Sequence, residues 1–254
     1  MPTNGSAGLT EHDITINGAR LHYYTKKHGA SGTVILVHGI GVSSRYMLPL
    51  AEELAKDSTV YAIDLPGFGK SEKPPESPGL DTLADCLYSF IKQGSISSPT
   101  LVGNSFGCQI ILRLLKRHPD INPDSVLIGP TMNVYERTHT KQIIRWLQNL
   151  RHEPARKFSW ILIKDIVECG PFRVFKTLDI GIKDKPEAGL DKIRARILFM
   201  RGALDPIAPR EWLQFLAAKN PLFTIGELPK AGHALNFNSP GPLARIINDF
   251  MDHN

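Results

Sequence analysis

Six short runs are rich in apolar and β-branched residues, TVILVHG continuously so, and a stretch with helical spacing follows each of them. They read TVILVHG, STVYAIDLPG, PTLVGNS, DSVLIGP, RARILFMRG and LFTIGEL. A run without polar alternation suits a strand buried on both faces. Strands of that kind alternating with amphipathic helices predict a mostly parallel sheet with helices on both sides. One further segment, DITINGARLHYYTKK, alternates around Asn17-Gly18 and predicts a hairpin that adds an antiparallel edge. Pro49, inside YMLPLAEELAKD, predicts an early-turn position or a kink.

The alternation breaks once. From Thr131 to about Lys185 the segments are helical: TKQIIRWLQNLRHE, ARKFSWILIKDIVECG and PFRVFKTLDIG. Residues 1–130 and 186–254 are therefore expected to form one α/β core, and residues 131–185 a helical insertion. The insertion enters and leaves at strand ends. It can thus cover the edge where ligands bind in open α/β sheets.

The 254 residues suit one large domain with an insertion. No apolar stretch reaches the roughly 18 residues of a membrane span. The polar start, MPTNGSAGLTEHD, reads as a frayed tail without a secretory leader. Cys86, Cys108 and Cys169 match no zinc or redox spacing, and reduced thiols in a cytoplasmic protein are expected. The net charge is +5, and 13 Lys/Arg face 8 Asp/Glu between Thr131 and Arg194. The basic residues are scattered, so no nucleic-acid partner is expected. They read as a solvated helical face, or as an attraction for anionic substrates.

GNSFG, residues 103–107, fits G-x-S-x-G between a strand and a helix. It reads either as a flexible turn or as a sharp elbow that exposes Ser105. In the second case the Phe106 N–H points at an oxyanion beside Ser105. Cys108, one turn along the helix, is expected to be packed. Of nine histidines, His38 and His233 lie in glycine-flanked loops after strands. His233, after the last strand, is the expected general base, and His38 a structural residue of its bend. The other seven read as surface or packing residues. Asp205, just past a strand in ILFMRGALDPIAP, is either the orienting carboxylate or the N-cap of the next helix. HGIG, residues 38–41, is expected to supply the second oxyanion donor from Ile40, with Gly41 next.

These motifs, with DLPGFGKSEKP, stand in the order HGIG, DLPGFGKSEKP, GNSFG, RGALDPIAP, AGHALNF. In that order the chain resembles the α/β-hydrolase superfamily, from about Val34 to His233. The resemblance implies an eight-stranded, mostly parallel sheet, a helical cap made by residues 131–185, and a Ser105–Asp205–His233 triad. In DLPGFGKS, Asp64, Pro66 and Gly67 are expected to shape a turn.

Serine at position 105 sets the chain apart from relatives with an aspartate nucleophile. The expected activity is hydrolysis of a small apolar carboxylic ester or lactone through an acyl-enzyme, with no metal or cofactor. Asn104 also resembles the meta-cleavage-product C–C hydrolases, whose histidine is usually followed by tryptophan; here Ala234 follows. A slow-turnover receptor of the same fold is a third reading. Gly39, Gly41, Asn104 and Trp160 are the expected substrate contacts. The apolar cap residues Ile161, Leu162, Ile163, Ile166, Val167 and Phe172 are divided between packing and pocket.

Overall fold

The computed structural model describes residues 8–28, 32–153 and 157–252. His253 and the first seven residues of the expected tail lie outside them. Strands β1 (Thr10–Ile16) and β2 (Ala19–Lys26) form the hairpin. Asn17 and Gly18 have φ of 50° and 82°, and Ile16 pairs with Ala19. Positive φ at both central residues is what a two-residue hairpin turn requires. The strand begins at Thr10, inside the stretch expected to fray. Thr10 pairs with Thr25, and its hydroxyl donates to the Thr25 carbonyl.

The remaining strands are β3 (Thr33–Val37), β4 (Thr59–Ile63), β5 (Thr100–Asn104), β6 (Ser125–Ile128), β7 (Ile197–Gly202) and β8 (Phe223–Leu228). The eight form one sheet in the order β1-β2-β4-β3-β5-β6-β7-β8. Among the described residues only the β1–β2 and β2–β4 pairs are antiparallel. Alternate residues of β3 enter opposite cores. Ile35 and Val37 pack with helices α2 (Leu80–Gln93), α3 (Phe106–Arg117) and α7 (Arg210–Ala217). Val34 and Leu36 pack with α1 (Ser44–Leu54) and α9 (Pro240–Asp252).

Pro49 sits inside α1, beyond its first turn, where its missing N–H leaves one carbonyl of the preceding turn without a helical partner. The helices α4 (His139–Asn149), α5 (Lys157–Cys169) and α6 (Pro171–Lys183) fall between β6 and β7. One short helix had no sequence signal: α8 (Leu235–Asn238), a single turn directly after His233. Among the described residues no helix is long and apolar enough to cross a membrane.

Candidate active site

Ser105 lies between β5 and α3 with φ 58° and ψ −117°. A non-glycine residue in that region stores strain of about 1–3 kcal/mol. Two glycines make the turn feasible. A Cβ on Gly103 would lie 2.7 Å from Ile111 Cδ1, and one on Gly107 would lie 2.4 Å from the Val37 carbonyl oxygen. The Ser105 N–H donates to Ile128 O at 2.8 Å, which seats the elbow on β6. Cys108 is buried, its Sγ donates to the Gly103 and Ile128 carbonyls, and burial pushes its thiol well above the usual range.

His233 Nδ1 and Asp205 Oδ2 are 2.8 Å apart in a buried setting. Asp205 Oδ1 accepts the N–H groups of Ile207 and Ala208 at 2.8 and 3.2 Å. Asp205 therefore closes its own turn and does not cap α7, whose N-cap is Pro209. Burial pushes the Asp205 carboxyl up. The His233 charge and the donated hydrogen bonds more than offset this, and its pKa lies below the ordinary value. Burial likewise pushes His233 down, and Asp205, with a smaller share from Glu153, raises it above the ordinary value. Arg201 is buried beneath this loop and donates to the Ala203, Asp205 and Ala208 carbonyls.

The bend after β3 is fixed by His38. Its Nε2 accepts the Leu65 N–H at 3.2 Å, so Nδ1 carries the proton and donates to Gly39 O at 2.8 Å. The ring is held neutral by burial. A Cβ on Gly39 would lie 3.1 Å from Ser105 Cβ, so the bend rests against the elbow. Among the described residues the Ile40 and Phe106 N–H groups donate to nothing within the chain. Phe106 is also the first residue of α3, where the helix dipole favours negative charge. Asp64 accepts from Ser44 N and Lys70 N and pairs with His22, so DLPGFGKS braces the same region.

Ser105 and His233 line one cavity of about 270 Å³. Among the described residues no hydrogen bond joins Ser105 Oγ to His233, and the ring bond of His233 is made through Nδ1. Gly39, Ile40, Gly41 and Asn104 also line the cavity. The Asn104 amide donates long bonds to Ile128 O and His233 O, at 3.5 and 3.4 Å, and so braces the loop of the histidine.

Trp160 is placed differently from expectation. It is 68% exposed and lies outside the lining, whereas Trp146 of α4 is part of it. The reason is helical phase. On α5 the residues turned inward to the cavity are Phe158, Leu162 and Ile166, spaced by four, and Trp160 stands on another face. Ile163, Val167 and Phe172 are exposed as well.

A match to the alpha/beta hydrolase family model spans residues 34–246. The chain belongs to the alpha/beta hydrolase family. It is a hydrolase. The hydrolase is 25% identical to the pimeloyl-acyl-carrier-protein methyl ester esterase of Neisseria meningitidis serogroup A, over 86% of this chain and 76% of that one. It is 27% identical to the esterase of the same name from Pseudoalteromonas atlantica, over 83% and 90%. Among solved structures it superposes on a bacterial membrane phospholipase A with TM-score 0.82 at 22% identity, covering 98% and 87% of the two chains. An esterase from Exiguobacterium antarcticum gives TM-score 0.79 at 18% identity, over 94% and 98%.

In this hydrolase two carboxylates of the inserted helices reach down to the site loops. Asp165 on α5 accepts the Ser43 N–H and hydroxyl, both at 2.8 Å, and pairs with Arg45. That ties α5 to the chain just after HGIG. Glu153, beyond α4, accepts Asn149 Nδ2 at 2.8 Å and the Ala234 N–H at 3.0 Å, and it also binds Asn238. Asn149 Oδ1 in turn accepts the His233 N–H. Sequence reasoning passed over this clamp. Its signal was the polar series Gln142, Asn149 and Glu153, at spacings near a helical repeat, within an otherwise apolar segment.

Proposed function

We propose that this hydrolase cleaves carboxylic esters or lactones with short or medium acyl groups. Ser105 is the nucleophile, His233 the general base and Asp205 its orienting carboxylate, with residues 131–185 as the cap. One observation carries the reading. Ser105 shares a cavity with a histidine whose Nδ1 is occupied by a buried carboxylate, and no Lys, Arg, Asp or Glu is among the described lining residues. The cavity volume, about 270 Å³, suits a small ligand.

In the first step His233 Nε2 takes the Ser105 proton as Oγ attacks the carbonyl carbon. Asp205 stabilises the imidazolium that forms. The Ile40 and Phe106 N–H groups receive the oxyanion, a contribution of about 3–4 kcal/mol per donor in comparable sites. The imidazolium then protonates the departing alcohol. Water, deprotonated by His233, attacks the acyl carbon and releases the acid and the free serine.

The curated relatives are named as methyl ester esterases, which agrees with a small alcohol leaving group. The dienoate substrates of C–C hydrolases carry a carboxylate. Burying one without a cationic partner is costly, so that reading ranks second. The described cysteines are free and buried, which supports a cytoplasmic location. A p-nitrophenyl ester panel tests the reading, with wild type and Ser105→Ala side by side. Hydrolysis by the wild type alone is expected. Equal rates from a folded Ser105→Ala protein would remove Ser105 from the mechanism.

A further inference from the structure

The helix α4 is inside out. Its buried residues are the polar Gln142 and Asn149, and all its large apolar residues are partly exposed, Ile143 and Trp146 beside the cavity and Ile144 and Leu147 away from it. Ile143, Ile144, Trp146, Leu147 and Leu150 are each 38–52% exposed. The neighbouring helices follow suit. Trp160, Ile163 and Val167 form one exposed stripe of α5, and Phe172 and Phe175 are exposed on α6. Among the described residues, twelve of the fifteen exposed large hydrophobic side chains fall within residues 131–185. Scattered exposed apolar residues need no explanation, but such a concentration marks an interaction surface.

The same 55 residues hold 11 Lys/Arg against 6 Asp/Glu, a surplus equal to the net charge of the whole chain. Lys176 lies 5.6 Å from the centre of the exposed Phe172 ring, which places a cation beside the apolar surface there. Ile143 and Trp146 belong both to this outer face and to the cavity lining. These two residues join the outer face to the rim of the cavity.

We propose that the outer face of the cap docks on an anionic lipid surface, with the cavity mouth turned toward it. Apolar helix faces bordered by lysine and arginine gain from burial among acyl chains and from attraction to anionic headgroups. A lipid occupant accounts for the continuity with the cavity, which neither charge nor apolarity alone explains. An apolar ester dissolved in the bilayer enters the site without crossing water. The proposal stands on the cap surface and is independent of the assignment of Ser105.

The test uses the full chain and extruded vesicles of phosphatidylcholine, alone or mixed with phosphatidylglycerol. Co-sedimentation is compared for wild type and for the double variant Ile144→Glu/Leu147→Glu, two residues that do not line the cavity. Wild type is expected to bind the anionic vesicles about 10-fold or more tightly than the neutral ones, with the difference shrinking as salt rises. The double variant is expected to lose about 10-fold in binding while hydrolysing a water-soluble ester at the wild-type rate. If that variant fails to fold, Ile163→Glu on α5 serves in its place. Wild type that stays in the supernatant overturns the proposal, and so does binding that ignores both lipid charge and the substitutions. A dimer in light scattering that the double variant dissociates assigns the face to a second copy. Binding to an acidic carrier protein without vesicle binding assigns it to a protein; both results also overturn the proposal.

Discussion

Asn149 Oδ1 accepts the backbone N–H of His233 at 3.1 Å. The last residue of α4 therefore holds the residue that takes the proton in the proposed mechanism. Glu153 completes the hold through Asn149 and Ala234.

Replacing Glu153 by Gln tests the clamp. If the glutamine oxygen stays on Asn149 and Ala234, its NH₂ meets the Asn238 NH₂, and if it turns to Asn238 the other two bonds are lost, so the hold weakens. We expect kcat to fall about 10–100-fold, as for other small misplacements of a reacting group. A second effect has a definite sign. Glu153 helps to raise the His233 pKa, and the base works when neutral. Removing that charge moves the acid limb of kcat/KM to lower pH. A merely structural substitution would lower the rate and leave the limb in place.

Ser105→Ala is expected to reduce turnover by several orders of magnitude, because nucleophile and base act as a unit. The Ser105 Oγ makes no hydrogen bond within the described residues, so the melting temperature should barely change. Activity and thermal unfolding measured on one preparation decide it.

Asp205→Asn should lower kcat by about 10⁴-fold with a much smaller change in KM. Its effect on stability depends on pH. The carboxyl is depressed in the fold, so its contribution is present above the ordinary carboxylate pKa and is lost as pH falls through the folded value. His233 is raised, so its contribution is full below the ordinary imidazole pKa and is lost as pH rises through the folded value. The melting-temperature gap between wild type and variant should be widest between about pH 4 and pH 6.5. A gap independent of pH would mean that the pair is not ionic.

Gly107→Ala puts a methyl 2.4 Å from the Val37 carbonyl oxygen, a backbone atom that cannot step aside. Destabilisation of about 3 kcal/mol or more is expected, at the upper end of overpacking costs. Urea unfolding midpoints measure it, and activity should fall with it as the elbow shifts.

Trp146→Ala enlarges the cavity and should alter KM for longer acyl esters. Trp160→Ala should leave kinetics on soluble esters unchanged, since Trp160 lies outside the lining. A chain-length series for both variants provides the comparison.

The sheet, the elbow and the strand-end positions of Asp205 and His233 were legible because each rests on local pattern. The central strands are mostly apolar, and sharp turns need glycine. The insertion between β6 and β7 was legible as helices but not as faces. Reading apolar as inward holds only in part on α4, where the polar Gln142 and Asn149 share the cavity face with Ile143 and Trp146 while Ile144 and Leu147 stay outside it. The error at Trp160 has the same origin, because the phase of α5 is set by the cavity below it. Glu153 was invisible for another reason: the Ala234 amide it holds lies 81 residues away in sequence.

Gly107 resting on the Val37 carbonyl has a consequence for how such a chain can diverge. The spacing between the Ile40 and Phe106 amides is gauged by main chain against main chain, and side-chain exchange cannot retune it. New substrate preferences are left to the side chains of the lining, among them Tyr46 and Ile207 of the core and Trp146 and Leu162 of the inserted helices. Within this architecture the chemistry is inherited as a rigid unit, and selectivity drifts independently of it.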